Sequence, residues 1–176
     1  MQLNSGHELR PLVVVMGVSG SGKSTIGALL AADIHAHFVD GDALHPASNV
    51  AKMAAGIPLD DADRWPWLAA VGHALATAGE AGIVVACSSL KRVYRDAITA
   101  VASGAVFVEL DGSHDLLEQR IAGRHGHFMP SSLLDSQLAT LEPLESDERG
   151  MRIEIEQPED AIVREAVTGI VALAGA

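Results

Sequence analysis

The segment Gly17-Val18-Ser19-Gly20-Ser21-Gly22-Lys23-Ser24 decides the fold of this chain. It matches the pattern G-x-x-x-x-G-K-[ST], and its flanks are those that the pattern requires. Leu12–Met16 before it is a short, β-branched apolar run that predicts a buried strand, and Thr25–Ala32 after it predicts a helix. A glycine-rich turn that binds nothing is the alternative. The strand, the loop, the Lys-Ser pair and the helix together favour a nucleoside triphosphate site.

Such a loop binds phosphate because its glycines let successive backbone N–H groups turn inward, and because the helix N-terminus adds a partial positive charge. Lys23 is expected to reach the β- and γ-phosphates, and the Ser24 hydroxyl to complete a magnesium shell. The residues predicted to bind the nucleotide here are Gly17, Ser19, Gly20, Ser21, Gly22, Lys23, Ser24 and Thr25.

The composition predicts one α/β domain over residues 1–176, with 48% hydrophobic, 20% charged and 3% aromatic residues. Cys87 is the only cysteine, which fits a reducing compartment. The polar segment Met1–Arg10 lacks the apolar core of a signal peptide, and its order is left open. No apolar run approaches the about 20 residues of a membrane helix. We therefore expect a cytoplasmic protein with no membrane partner.

The net charge of −11 argues against a nucleic-acid partner, because phosphate neutralisation supplies most of the affinity for nucleic acids. The few basic residues are unevenly placed, with Lys91, Arg92 and Arg95 clustered in one segment and Arg120 and Arg124 in another. They could handle a small anion. Solvated helix faces paired with acidic residues explain them equally well.

Apolar strand patterns alternate with helical ones along the chain, which predicts a mostly parallel five-stranded sheet between helices, a three-layer αβα sandwich. The predicted strands are Leu12–Met16, His37–Val39, Ile83–Cys87, Val106–Leu110 and Arg152–Ile155. The predicted helices are Ser24–His35, Ala47–Ala54, Ala62–Ala78, Val93–Val101, Ser113–Gly123, Ser131–Leu141 and Glu159–Leu173. Ligands of such sheets bind beyond the carboxyl ends of the strands, so the loops that start at Gly17, Asp40, Cys87 and Asp111 are the candidates.

Two carboxylates follow the second predicted strand, one on each side of Gly41. Asp40 at the strand end could face magnesium through water, and Asp42 could orient an acceptor hydroxyl and take its proton. An Asx-type turn before a helix that starts at Pro46 explains the same residue types without chemistry. The neighbouring phosphate loop favours the functional interpretation.

Further segments give a specific resemblance. The chain resembles a gluconokinase of the small P-loop kinase type, which carries G-V-S-G-S-G-K-S, D-G-D-x-L-H-P, N-x-x-K-M-x-x-G-x-P-L-x-D-x-D-R-x-P-W-L, C-S-x-L-K-x-x-Y-R-D, a lid with G-H-F, and S-Q-x-x-x-L-E. The corresponding segments, in the same order, are Met16–Thr25, Asp40–Pro46, Asn49–Gly56, Pro58–Leu68, Cys87–Asp96, Gly126–Met129 and Ser136–Glu148. The resemblance implies ATP and Mg²⁺ as cofactors, D-gluconate as the substrate, phosphorylation of its 6-hydroxyl, and a homodimer.

The resemblance also implies residues that bind the acceptor. Arg64 would grip the gluconate carboxylate or hydroxyls with its planar fork, although it could simply pair with a neighbouring acid. Lys91 and Arg95, at positions i and i+4, would border the anion if they share one helix face, and a solvated basic face has the same spacing. Ser88 at the end of the third strand and His45 near Asp42 complete this predicted set.

A lid over about residues 120–142 is implied as well. Arg120 and Arg124 would neutralise the transferring phosphoryl group, with a structural ion pair as the alternative for one of them. His127 would contact gluconate after closure, or is an exposed loop histidine. Gln157 and Pro158 follow the last strand, where related kinases wrap the adenine. No metal site other than that of Ser24 and Asp40 is predicted.

Two rival functions remain at this point. A shikimate kinase shares the phosphate loop and an Asp after the second strand, but not D-G-D-x-L-H-P or C-S-x-L-K-x-x-Y-R-D. A non-catalytic nucleotide-binding regulator would be expected to lack Lys23, Asp42 or the lid arginines, and all of these residues are present.

Overall fold

The computed structural model describes residues 10–123 and 131–175, apart from the side chain of Ser131. One or two α-helices separate consecutive strands within these ranges. The strands are β1 (Leu12–Met16), β2 (His37–Asp40), β3 (Ile83–Ala86), β4 (Val106–Asp111) and β5 (Gly150–Glu154). The helices are α1 (Lys23–Asp33), α2 (Ala47–Ala54), α3 (Asp61–Ala76), α4 (Arg92–Val101), α5 (His114–Ala122), α6 (Ser131–Thr140) and α7 (Glu159–Ala174).

The five strands form one sheet in the order β2-β3-β1-β4-β5. All four neighbouring pairs are parallel, which confirms the predicted sheet. β1 lies in the middle, paired with β3 on one side and β4 on the other. The loop after β1 therefore leaves the sheet where the strand order changes direction, which is where ligands of open α/β sheets bind.

Alternating side chains of β1 build the two apolar layers of the molecule. Val13 and Val15 are buried with residues of α1, α5, α6 and α7, whereas Val14 and Met16 are buried with residues of α3 and α4. Because successive side chains of a strand point to opposite faces, a strand that is apolar throughout must be covered on both sides. The buried β1 thus confirms the three-layer αβα arrangement.

Several element bounds differ from the sequence prediction by one or two residues. β5 begins at Gly150 rather than at Arg152, because Phe107 and Gly150 already face each other in the β4–β5 register. A 3-10 helix over Gly41–Leu44 was not predicted. Within the described residues, no helix is both long enough and apolar enough to span a membrane. The extent of the domain over residues 1–176 stays a prediction.

Gly41 lets the chain after β2 lie directly against β3. A Cβ atom on this residue would stand 2.4 Å from the backbone oxygen of Ala86, closer than van der Waals contact permits. The Trp67 indole Nε1 donates a hydrogen bond of 2.8 Å to the Gly41 carbonyl and holds the turn in place. A glycine is therefore required between the two carboxylates that the turn carries.

We expect Gly41→Ala to lower the free energy of unfolding by about 1–3 kcal/mol, because the added methyl group forces the 3-10 helix away from β3. Urea unfolding followed by circular dichroism measures the change. Gly79→Ala is the matched control, since a Cβ on Gly79 meets no atom within 4 Å. Equal unfolding midpoints for the two variants would contradict the close approach of Gly41 to β3.

Candidate active site

A cleft of about 310 Å³ opens at the carboxyl edge of the sheet. It joins the phosphate loop to the segments that follow β2 and β3, and α6 closes one side. Its lining residues are Ser19, Gly20, Gly22, Lys23, Ser24, Asp40, Asp42, Ala86, Ser88 and Gln137. The structure thus brings together the predicted phosphate-binding, metal-binding and proton-accepting residues.

The phosphate loop ends at Gly22, which caps α1. Its φ of 90° and ψ of 22° lie in the left-handed region, which glycine adopts without steric cost. This turn starts α1 directly at Lys23, so the N-terminus of α1 faces the cleft. The Lys23 ammonium donates a hydrogen bond of 3.1 Å to the Val18 carbonyl, which folds the side chain over the loop. The loop therefore offers both a helix dipole and an ammonium group to an anion.

Arg120 joins α5 to the phosphate loop. Its Nη1 lies 3.4 Å from the Ser21 carbonyl oxygen and its Nη2 lies 3.3 Å from the Ile155 carbonyl oxygen. These contacts hold the half-buried guanidinium beside Gly22, where an added Cβ would be 3.6 Å from Nη1. The position is compatible with the predicted role of Arg120 at the phosphates. Arg124 and His127 lie outside the described residues.

Ser24 and Asp40 meet at the floor of the cleft. The Ser24 hydroxyl donates a hydrogen bond of 2.9 Å to Asp40 Oδ2, and Asp40 Oδ1 accepts one of 3.0 Å from the Asp42 backbone N–H. Hydroxyl and carboxylate oxygens are the donor atoms that Mg²⁺ prefers. The pair therefore fits the predicted metal site beside the phosphate loop.

His45 is held as a neutral ring next to Asp42. It stacks on Trp67 with a centroid separation of 4.2 Å. Burial is the main cause that lowers the pKa of His45; the positive charge of Arg64 lowers this pKa further, whereas the negative charge of Asp42 raises it. The Asn49 amide nitrogen contacts the Asp63 carbonyl at 2.8 Å and His45 Nδ1 at 3.2 Å. Because a carbonyl can only accept, this amide orientation makes Nδ1 the acceptor and leaves the ring proton on Nε2. His45 can therefore donate a hydrogen bond to a ligand.

Arg64 and Lys91 flank the ring of Tyr94. The Arg64 guanidinium carbon lies 5.7 Å and the Lys91 ammonium 5.3 Å from the ring centroid. Lys91 also pairs with Asp61 at 3.4 Å, and the Tyr94 hydroxyl donates to Asp61, which is the main cause that lowers the pKa of that carboxyl. Arg64 donates to the Leu59 carbonyl. The two cations form a positive edge that α3 and α4 share.

Arg95 does not lie on this edge, contrary to the prediction that it contacts the substrate. Its side chain is 1% exposed, and its Nε and Nη2 donate to Glu148 at 2.6 and 2.9 Å. The i, i+4 argument failed because Lys91 is the extended N-cap of α4, with φ −100° and ψ 148°, so Lys91 and Arg95 do not share a helical face. Arg95 belongs to the interior.

The buried Arg95 instead stabilises the loop that carries Ser88. Its Nη1 donates to the Ser89 carbonyl at 3.1 Å, and Ser89 is a buried residue with a φ of +45°. Ser88 lines the cleft, and its carbonyl accepts a hydrogen bond of 3.3 Å from Gly17 N–H at the start of the phosphate loop. Burial raises the pKa of the adjacent Cys87 thiol to about 11, which leaves it protonated and unreactive near neutral pH.

The predicted adenine-binding residues lie away from the cleft lining. Gln157 Nε2 donates to the Glu154 carbonyl at 2.8 Å and to Glu165 at 3.0 Å, and Pro158 caps α7. Both follow Ile155, whose carbonyl contacts Arg120. Their role towards a base stays a prediction.

Sequence reasoning missed Gln137, which α6 carries into the cleft. Its side-chain oxygen accepts a hydrogen bond of 2.7 Å from the backbone N–H of Ser19. The only signal in the sequence was the S-Q-x-x-x-L-E segment, which says nothing about where the glutamine lies. Asn49, which contacts His45, was missed as well.

A parallel sheet of this order, with a phosphate loop that faces two carboxylates across a small cleft, defines a P-loop kinase of small molecules. A family model described as AAA domain matches residues 12–144. The gluconokinase of Gluconobacter oxydans is 47% identical over 162 residues, covering 90% of this chain and 91% of that protein. The thermoresistant gluconokinase of Escherichia coli is 40% identical over 160 residues, covering 89% and 91%.

A solved structure gives the same result. The crystal structure of a gluconokinase from Sinorhizobium meliloti superposes with a TM-score of 0.86 at 50% identity, covering 94% of each chain. The chain belongs to the gluconokinase family. The resemblance predicted from the sequence motifs is therefore confirmed, as is the class of ATP-dependent phosphotransferase.

We expect Glu148→Gln to lower the free energy of unfolding by about 3 kcal/mol, because it leaves the Arg95 guanidinium buried without its counter-charge. Urea unfolding measures the change. Glu145→Gln is the control: that side chain is 68% exposed and pairs with Arg92, so its loss should cost less than about 1 kcal/mol. A loss for Glu148→Gln no larger than that of the control would show that the buried pair contributes nothing to stability.

Proposed function

We propose that this protein transfers the γ-phosphoryl group of ATP to the 6-hydroxyl of D-gluconate and forms 6-phospho-D-gluconate and ADP. The observation that carries the proposal is the single cleft in which the phosphate loop, the Ser24–Asp40 pair and Asp42 meet. The gluconokinases among its relatives support gluconate as the acceptor.

The nucleotide phosphates bind to the loop from Gly17 to Ser24, with Lys23 at the β- and γ-phosphates and Arg120 beside them. Ser24 and Asp40 are the residues that would hold Mg²⁺, through the Ser24 hydroxyl and the Asp40 carboxylate. The metal ion, when bound, supplies positive charge that offsets the charge on the phosphate oxygens. Arg124 joins Arg120 at the transferring group, and Gln157 and Pro158 border the adenine.

The acceptor binds on the other side of the cleft, at the positive edge of Arg64 and Lys91. A guanidinium fork suits a carboxylate, and Arg64 already lies near His45 and Asp42, since the charges of both Asp42 and Arg64 act on the pKa of His45. His45 and Ser88 donate to the hydroxyls of gluconate, and His127 closes over them.

Asp42 orients the 6-hydroxyl and accepts its proton. The hydroxyl oxygen forms a bond to the γ-phosphorus while the bond from that phosphorus to the bridging oxygen of ADP breaks, and ADP leaves with the electron pair. No covalent intermediate on the protein is needed, in agreement with the raised thiol pKa of Cys87. We further propose that the protein works as a cytoplasmic homodimer.

ADP release from Mg-ATP tests the reaction and the substrate together. D-Gluconate is expected to stimulate release strongly, whereas shikimate and other sugar acids are not, because the cationic edge and the hydroxyl donors fit a linear polyol acid. If ATP binds saturably but no acceptor stimulates ADP release, the result would favour a non-catalytic nucleotide-binding regulator. Stimulation by shikimate would favour a shikimate kinase.

The variant Asp42→Asn tests whether this activity depends on the carboxylate of Asp42 in the cleft. It should lower kcat by about 10²–10⁴-fold, because the amide cannot take the proton. ATP affinity should stay nearly unchanged. Asp33→Asn, at the exposed end of α1, is the control. An Asp42→Asn protein with unchanged kcat would remove Asp42 from the mechanism.

We expect Arg64→Gln to raise the KM for gluconate at least about tenfold, because the carboxylate loses a charge-assisted hydrogen bond. The KM for ATP should change little. Steady-state kinetics with each substrate varied in turn measures the difference. Arg164→Gln is the control, since Arg164 is 69% exposed and pairs with Asp160 on α7. An unchanged KM for gluconate would place the carboxylate elsewhere.

A further inference from the structure

Gln137 connects α6 to the phosphate loop across the cleft. The hydrogen bond from Ser19 N–H to its side-chain oxygen is 2.7 Å long, at the short end of the usual range of about 2.7–3.2 Å. Ser19 belongs to the loop that receives the phosphates, and Gln137 lines the same cleft as Lys23 and Asp42. The proposed function uses Ser19 but assigns nothing to Gln137.

The contact with Ser19 determines which way the amide faces. A backbone N–H can only donate, so the oxygen of Gln137 must face Ser19 and its NH2 group must be the other end of the amide. Across the part of the chain that the structure describes, this NH2 group makes no hydrogen bond to protein. A half-buried donor with two protons is thus held at the cleft without an acceptor.

α6 is anchored on both sides of this residue, so the position of Gln137 is set by the fold. Leu134, one turn earlier, is fully buried in the core. The His114 Nε2 on α5 lies 2.8 Å from an Asp135 carboxylate oxygen, and Glu142 N–H donates to the Leu90 carbonyl at 2.8 Å. A donor on a rigid, anchored helix can act on a reacting group without a cost of reorganisation.

Lys23, Asp42 and Gln137 line the same cleft, in which the phosphoryl group would pass from nucleotide to acceptor. Negative charge spreads over the three equatorial oxygens of that group during transfer, and each oxygen is stabilised by a donor. The amide of Gln137 supplies one such donor beside Lys23.

We propose that Gln137 is a catalytic residue whose amide NH2 donates a hydrogen bond to the transferring phosphoryl group, while its oxygen stays on Ser19 N–H. The proposal rests on the kinase function proposed above. A purely structural link between α6 and the phosphate loop would use only the side-chain oxygen of Gln137. The proposed role also uses its NH2 group.

Three variants separate the NH2 donor from the structural link. Gln137→Leu removes both ends of the amide and is expected to lower kcat with gluconate by about 10²–10³-fold, while the Kd for ADP changes less than about threefold. Gln137→Lys keeps only donors and should recover at least about tenfold in kcat over Gln137→Leu. Gln137→Glu keeps only acceptors and should remain as slow as Gln137→Leu. A Gln137→Lys protein as slow as Gln137→Leu, or a Gln137→Glu protein as fast as the wild type, would overturn the proposal.

One control tests whether α6 itself is responsible. Ser132→Ala changes an exposed residue of α6 and should keep kcat within about threefold of the wild type. A Ser132→Ala protein as slow as Gln137→Leu would overturn the proposal, because any change in α6 would then explain the loss.

Binding of a non-hydrolysable ATP analogue tests the role of Gln137 without requiring turnover of gluconate. Gln137→Leu should weaken the analogue relative to ADP by about tenfold, since only the analogue carries the γ-phosphate that the amide contacts. This ratio is measurable even if gluconate gives no turnover in the wild type, a result that would refute the proposed substrate alone. An unchanged ratio would overturn the role of Gln137.

Discussion

The parallel pairing of β3 with β1 on one side and with β2 on the other is the constraint on which the cleft depends. Ala86 pairs with Val15 of β1 and with Asp40 of β2, so the three strands end at the same level. The phosphate loop, the Asp40 turn and the Cys87–Leu90 segment must therefore leave the sheet side by side. The Ser24–Asp40 hydrogen bond connects the phosphate loop to the Asp40 turn. The hydrogen bond from Gly17 N–H to the Ser88 carbonyl connects the phosphate loop to the Cys87–Leu90 segment. A shift of one residue in either pairing would move a whole loop out of this set.

A second layer of contacts converts this common edge into defined positions. Trp67 holds the Gly41 carbonyl, and Arg95 holds the Ser89 carbonyl, so each loop is fixed from behind by a buried side chain of α3 or α4. Both side chains are nearly inaccessible to solvent. The helices on this face of the sheet thus do more than cover it, because they set where the carboxylates and backbone donors of the cleft can lie.

The sequence predicted the parallel sheet and its layers because strong local signals carry them: apolar β-branched runs, helical periodicity and a glycine-rich loop with its lysine. It also predicted which loops meet, since strand ends of a parallel sheet share an edge. It could not predict the burial of Arg95, because burial depends on Glu148, which lies 53 residues further along the chain. The contact between Gln137 and Ser19 spans 118 residues and was hidden for the same reason. The Gly41–Leu44 3-10 helix was not predicted because, beyond the local hydrogen bond from Asp42 N–H to Asp40, it depends on the close approach to β3 and on Trp67.

The distribution of cations bears on the proposed binding of anions by a chain whose net charge is −11. Arg92 pairs with Asp96, Glu145 and Asp147, and Arg95 pairs with Glu148. These ion pairs neutralise both guanidinium groups and connect α4 to the segment before β5. Arg92 and Arg95 of the Lys91–Arg95 cluster are therefore held by acidic partners. Arg64 differs, since among the described residues its guanidinium donates to the Leu59 carbonyl, a neutral group, and its charge still acts on His45. An acidic surface repels anions in general, whereas Lys23 and the N-terminus of α1 lie at the edge of the sheet where strand ends converge. The proposed anion site thus draws on the phosphate loop and on Arg64, while acidic side chains pair with Arg92 and Arg95 of α4.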